Sequence, residues 1–344
     1  MKRHWLIAVF LAAALPAQAA SLEERWENLK LRAYPLIRFF SDQEQELGDI
    51  RAQGLDPQRY TRIDLADLVS GGPPKGGIPS LDAPRFETAG HTPFTDGEPI
   101  IGLVIGGDAR AYPYGILNWH EIVNDTVGGV PVTVTYCPLC DTGIVFERGA
   151  TTFGVSGKLY QSCLVMYDRA TETLYAQPWG LGIVGRDVNR SLPRLPAVKT
   201  TLGAWRRLHP ETKVLSANTG HRRDYFAYPY GTYDRDRRLL FPVRGQQQLT
   251  LHPKAIVSYV WSPAVATPVG RFAGASAWVD HRRLRESGEL DIAFGKRSLK
   301  ARWNPELETA EFFDANGARM PSSTAFAFVY PAFFMGARNG ARDP

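Results

Sequence analysis

Cys137-Pro138-Leu139-Cys140 is the stretch of this 344-residue sequence whose residue types and spacing point most directly to chemistry. Two cysteines three apart, in a turn after an alternating run ending at Tyr136, can aim both sulfurs at one spot. That geometry suits a reducible disulfide of the thioredoxin kind. It also suits two thiolates binding zinc or copper. The plainest alternative is a disulfide that merely closes the turn. The redox use expects a helix starting at the first cysteine, whose N-terminus lowers the thiol pKa. Here Asp141-Thr142-Gly143 and a strand-like Ile144-Val145-Phe146 follow instead. Asp141 directly after Cys140 is expected to raise a neighbouring thiol pKa, which favours a bound cation over redox cycling.

A metal site needs more ligands than two. The candidates are His120 in Asn118-Trp119-His120-Glu121, and Cys163 and Met166 in Ser162-Cys163-Leu164-Val165-Met166-Tyr167-Asp168. A lone histidine is more often a core or surface residue than a ligand, and a strand methionine is more often core. Their placement in one meander with the cysteines gives the set more weight than each member has alone. Sulfurs with one imidazole suit Cu(I) or Zn(II) better than a hard cation. Asp125 or Asp168 is the expected partner for the second imidazole nitrogen. Cys137, Cys140 and Cys163 are the only cysteines, and an odd, small number reads as a local site rather than a scaffold of staples.

Nucleotide chemistry is not expected. Gly180-Leu181-Gly182-Ile183-Val184-Gly185 has three spaced glycines, but Pro193 and Pro196 follow in loop-like sequence where a helix should open. Gly154-Val155-Ser156-Gly157-Lys158-Leu159 lacks the first glycine of a phosphate loop and has Leu159 where a magnesium-binding hydroxyl belongs. Lys158 also stands where a hydrolase elbow needs its last glycine.

The elements that must position the cysteines are short strands. Ile100 to Ile105 and Ala109 to Tyr114 flank a Gly106-Gly107-Asp108 turn. Pro131 to Tyr136 alternates, and strands are expected over Ile144 to Arg148, Thr151 to Val155, Cys163 to Asp168 and Thr173 to Gln177. Beyond one helix at Leu202 to His209, strands return, notably at Ala255 to Trp261 and Ser276 to Asp280. The fold class expected is α+β and β-rich: an antiparallel meander, sandwich or open barrel, with a few peripheral helices. Two of those helices are expected at Leu22 to Leu31 and Ser41 to Ala52. Ser70-Gly71-Gly72-Pro73-Pro74-Lys75-Gly76-Gly77-Ile78-Pro79 breaks both periods and reads as a linker or binding loop.

The chain starts with Lys2, Arg3 and His4, then an apolar run from Trp5 to Leu15, Pro16, and Ala17-Gln18-Ala19. This three-part pattern predicts a secretory signal peptide over 1–19, cleaved near Ala19, and a periplasmic or secreted protein. The apolar run is too short to span a bilayer, and the mature chain is expected to have no transmembrane segment. A helical segment over 20–64 and a β-rich domain over 65–335 complete the expected organisation. Formal charge is +5, with 44% hydrophobic and 11% aromatic residues, which excludes disorder. The basic runs Arg222-Arg223, Arg235 to Arg238 and His281-Arg282-Arg283 are short and close to acids, so no nucleic-acid role is expected.

Four segments carry a resemblance. Gly71 to Pro79, Ile116-Leu117-Asn118-Trp119-His120-Glu121-Ile122-Val123-Asn124-Asp125, Thr135 to Cys140 and Leu164 to Arg169 resemble, in order, the domain of unknown function 3179 family. The resemblance implies the fold and export, not a reaction. His120, Cys137 and Cys140 match the family's motifs, whereas Cys163 and Asp141 depart from them. The expectation is therefore an exported soft-metal protein holding copper or zinc at Cys137, Cys140, His120, Cys163 and Met166. It would act on a small molecule or protein partner in the periplasm. A thiol-disulfide oxidoreductase and a β-rich binding module with a structural disulfide stay open as alternatives.

Overall fold

A computed structural model describes residues 43–334 except 246–247, 264 and 267–271. The expected signal segment and the helix at Leu22 to Leu31 lie outside these residues. The first half runs α1 (Gln43–Ala52), β1 (Leu68–Ser70), β2 (Phe86–Thr88), β3 (Pro99–Ile105), β4 (Asp108–Pro113) and α2 (Tyr114–His120). It continues through β5 (Ile122–Val127), β6 (Val130–Cys137), β7 (Thr142–Glu147), β8 (Phe153–Tyr160), β9 (Cys163–Asp168), β10 (Leu174–Ala176) and β11 (Leu181–Val184). Then come β12 (Arg194–Leu195), β13 (Ala197–Thr201), α3 (Leu202–Leu208), β14 (Lys213–Leu215), β15 (Ile256–Trp261), β16 (Val265–Ala266), β17 (Phe272–Ala273) and β18 (Ser276–Asp280). The last elements are α4 (His281–Ser287), β19 (Glu289–Phe294), β20 (Arg297–Asn304), β21 (Thr309–Phe313), β22 (Arg319–Met320), β23 (Ser322–Phe326) and α5 (Val329–Phe333).

The β-rich, largely antiparallel architecture agrees with the sequence. The sheets run β1-β8-β9-β10-β11, β12-β7-β6-β5, β13-β3-β4-β14-β2, β18-β15-β23 and β19-β20-β21-β22, plus the β16-β17 pair. The β4–β14 pairing is parallel. No closed barrel forms among the described residues.

Strand β6 explains how the cysteine turn comes to be buried. Its sequence alternates Val132, Thr133, Val134, Thr135, Tyr136 and Cys137, and successive side chains point to opposite faces. Val132, Val134 and Tyr136 enter one apolar core with β3, β4 and α2. Cys137 enters another core, with β8, β9, β10 and α5. Neighbouring β7 divides the same way: Val145 joins the first core, Ile144 and Phe146 the second. The β5–β6–β7 sheet is thus a middle layer covered on both sides. The threonine face of β6 is buried too, so its hydroxyls need internal partners. Thr135 Oγ1 donates to the Ile144 carbonyl at 2.8 Å and accepts from Gln177 Nε2 at 3.1 Å.

Helix α2 was not expected, because its apolar residues run all round and Gly115 weakens the pattern. Its burial on nearly every side compensates for seven residues of modest propensity. It ends on Glu121, whose backbone is left-handed at φ 57°.

Candidate functional site

Cys137 is the last residue of β6, and its backbone pairs with Thr142 at the start of β7. Between them the chain makes a tight turn in which the Cys140 amide donates to the Cys137 carbonyl at 3.2 Å. No helix follows the first cysteine. Cys163 opens β9, facing Tyr160 across a two-residue hairpin loop, Gln161-Ser162. Both loop residues are left-handed, at φ 52° and 60°, where a primed hairpin turn normally has Asn or Gly. The β8–β9 hairpin lays Cys163 against the Cys137-Cys140 turn, and the Leu164 amide donates to Cys137 Sγ at 3.3 Å. All three sulfurs lie within hydrogen-bonding reach of one another, and no disulfide joins them. Their residues are 1%, 0% and 0% exposed, which closes the cluster to solvent.

The backbone around the sulfurs is strained and fully engaged. Seven described non-glycine residues have positive φ, and four of them are Glu121, Asp141, Gln161 and Ser162. Two of those four precede Cys163 and one follows Cys140, a concentration typical of sites that need an imposed geometry. The Leu139 carbonyl accepts from Tyr233 Oη at 2.8 Å, and the Cys140 carbonyl from the Phe326 amide at 2.9 Å.

The three thiols differ electrostatically. Burial pushes Cys137 up, but hydrogen bonds from Cys140, Cys163 and the Leu164 and Cys140 amides outweigh it and hold this thiol well below its ordinary range. Burial pushes Cys140 and Cys163 well up, and their bonds to Cys137 add to this. Of the three, Cys137 is the sulfur shifted toward its anionic form. Asp141, expected to act on the neighbouring sulfur, is turned away: its carboxylate pairs with Lys199 Nζ and accepts from Tyr136 Oη at 3.2 Å. Glu121 is the carboxyl close to Cys137. Burial raises its pKa well above the carboxylate range, and the Cys137 charge raises it further.

His120 and Met166 take other places. The His120 Nδ1 is 2.7 Å from the Pro79 carbonyl, and Nε2 is 2.7 Å from Tyr225 Oη. Both ring nitrogens are engaged away from the sulfurs. Neither expected carboxylate orients the ring: Asp125 accepts from Tyr112 Oη, and Asp168 from Thr151 and the Ala170 and Thr171 amides. Met166 is fully buried three residues after Cys163 on β9, so the pleat sends it to the opposite face. Among the described residues no set of three or more His, Cys, Asp or Glu side chains stands at metal-ligand spacing.

The covering segment was not legible in the motifs. Between β14 and β15 the described residues form no strand and run past the sulfurs. Tyr233 is buried against them, and its phenol is pushed up by burial and then by Cys137, Cys140 and Cys163. Lys254 locks this segment. Its side chain is 0% exposed, and Nζ lies 3.6 Å from the Tyr233 ring centroid. Nζ donates to the Tyr233 carbonyl, the Asp236 carbonyl at 2.8 Å, Asp236 Oδ1 at 3.0 Å and the Arg238 carbonyl at 2.7 Å. The four tyrosines between 225 and 233 were the available signal, since so many aromatics in an irregular stretch need a surface to pack on.

Residues 75–336 match the family described as "Protein of unknown function (DUF3179)", and the chain belongs to that family. No curated protein and no solved structure matches it.

Proposed function

We propose that this protein binds a soft metal ion through Cys137, Cys140 and Cys163, with Cu(I) preferred. The supporting observation is the convergence of three buried, unbridged sulfurs from two separate hairpins within hydrogen-bonding reach of one another. Three sulfurs without an imidazole suit a soft monovalent ion. Structural zinc normally takes four ligands, and the histidine that would complete the set is engaged elsewhere. Coordination requires the sulfurs to turn inward from hydrogen-bonding spacing. The hydrogen bonds that Cys137 accepts favour its thiolate, the form a metal binds. With the signal-like start, this reading places the protein in the periplasm, as a carrier or store of the metal.

The test is elemental analysis and a free-thiol count on protein purified anaerobically from the exported fraction. The expectation is about one copper per chain, lost in each of Cys137→Ser, Cys140→Ser and Cys163→Ser. Metal-free protein with Cys137 and Cys140 oxidised to each other would overturn it. A second reading has its own observation: a Cys-x-x-Cys pair whose first thiol is shifted downward by the hydrogen bonds it accepts is what attack on a disulfide needs. Such an enzyme must open its cover, and trapping a mixed disulfide on Cys137 in the Cys140→Ser variant would establish it.

A further inference from the structure

His120 is wholly buried and lies outside the sulfur site, so its role is a separate question. The hydrogen-bond directions around it can be assigned. A carbonyl only accepts, so Nδ1 carries the proton given to Pro79. Burial, foremost, holds the imidazole pKa down to about 4, so the ring is neutral and Nε2 accepts from Tyr225 Oη. The tyrosine's single proton is then used, and Thr219 Oγ1 donates to it. Thr219 Oγ1 in turn accepts from the His221 amide at 3.2 Å. The result is a one-directional chain from the end of α2 to the loop carrying His221, whose ring lies 5.1 Å from that of His120.

That loop forms one wall of a cleft of about 230 Å³; Ser80, Asp82 and Arg85 line the other wall, with Ser216, Thr219 and His221 on this one. We propose that this cleft binds a small oxyanion, a carboxylate or phosphate group, with His120 as a positioning residue behind it. The charge balance supports an anion. Asp82 is the only carboxylate among these six residues, and its Oδ1 is met by Arg169 at 2.8 Å and Asn124 Nδ2 at 2.7 Å, while Ser216 Oγ donates outward to Glu87 Oε2 at 3.2 Å. Ser80 Oγ accepts from Arg169 Nη2 at 2.6 Å, which leaves its own proton to donate. Among the described residues, the Arg85 guanidinium has no ion pair, and its planar fork suits a carboxylate or phosphate edge. Arg222 and Arg223 follow His221 directly in the chain. The volume admits only about ten heavy atoms, below the size of most organic cofactors.

The proposal is independent of the sulfur site, and calorimetric titration of the full chain with inorganic phosphate and, separately, with malonate tests it. Saturable binding of one or both, weakened at least about tenfold in the surface variant Arg85→Ala, is expected. Binding of phosphate alone or malonate alone assigns the oxyanion class. His120→Gln can still donate to Pro79 and accept from Tyr225, so it should retain affinity. His120→Phe should lose affinity even if both variants melt alike. Absence of saturable binding of either anion to the wild type, or an Arg85→Ala variant that binds as well as wild type, would overturn the proposal.

Discussion

Replacing Lys254 with Met should uncover the thiols without touching them. Methionine keeps most of the apolar stem that lies on Tyr233 but removes the ammonium. The carbonyls of Tyr233, Asp236 and Arg238 then lose a shared donor, and Asp236 loses its cation. A buried acceptor left unpaired costs about 1–3 kcal/mol. Some of these carbonyls regain partners when the segment lifts into water, and Asp236, 37% exposed, keeps solvent around its carboxylate, so the net cost is about 1–3 kcal/mol. At about 1.4 kcal/mol per power of ten, the open state should become roughly one to two powers of ten more populated. Where reclosing is faster than labelling, thiol modification follows that population. The assay is the rate of reaction with a disulfide dye under native conditions, beside a denaturant titration that gives the free energy of global unfolding. Wild-type thiols should react slowly and Lys254→Met thiols much faster, through an opening whose free energy stays well below that of global unfolding. Equal labelling rates in the two proteins, or an opening free energy equal to that of global unfolding, would show that the segment does not control access.

Other outcomes follow from the same geometry. Burial holds His120 down to about 4 and His281 down to about 3, against an ordinary value of 6.5. The unfolded chain therefore takes up protons first, so their contribution to stability is intact above pH 6.5 and is lost as pH falls through these values. The steepest slope is about 2.7 kcal/mol per pH unit for the two together, and a pH series of chemical denaturations measures it. Glu121 has the opposite shift: its neutral form is held above pH 4.5, so Glu121→Gln should raise the melting temperature at pH 7 and give no gain at pH 4. Gly157 has φ +76°, and a Cβ there would lie 2.1 Å from the Pro73 carbonyl oxygen, so Gly157→Ala should lower stability by about 1–3 kcal/mol in the same titration. Met166→Leu, facing away from Cys163, should leave metal content and thiol reactivity as in wild type.

The sequence was most legible where a strand has one readable period. Cys163 to Asp168 and Ser276 to Asp280 fall on β9 and β18 residue for residue, and Leu202 to His209 differs from α3 by one position. Ser41 to Ala52 overlaps α1, and the absence of a helix after Cys137 followed from the residues after the motif. Helix α2 escaped because its burial is tertiary. Without that helix, the directions of His120 and Glu121 are not legible from the residues alone. The helix end and the left-handed Glu121 send His120 toward Tyr225 and Glu121 toward Cys137. The meeting of Cys163 with the turn depends on how two sheets stack, which no local spacing encodes. Asp141 misled for a related reason, since its partner Lys199 lies 58 residues along the chain.

The order in which the covering parts appear along the chain has a consequence for biogenesis. Every cysteine is in place by residue 163, and the two sheets that carry them are complete at Leu195. Tyr233, Lys254 and Phe326, which seal them, come later. A chain emerging N-terminus first thus exposes a finished trio of thiols for as long as its second half takes to arrive and dock. Loading or oxidation has its easiest opportunity in that interval. After closure, exchange must wait for the cover to lift, so the mature protein would preserve a record of the redox and metal conditions under which it folded.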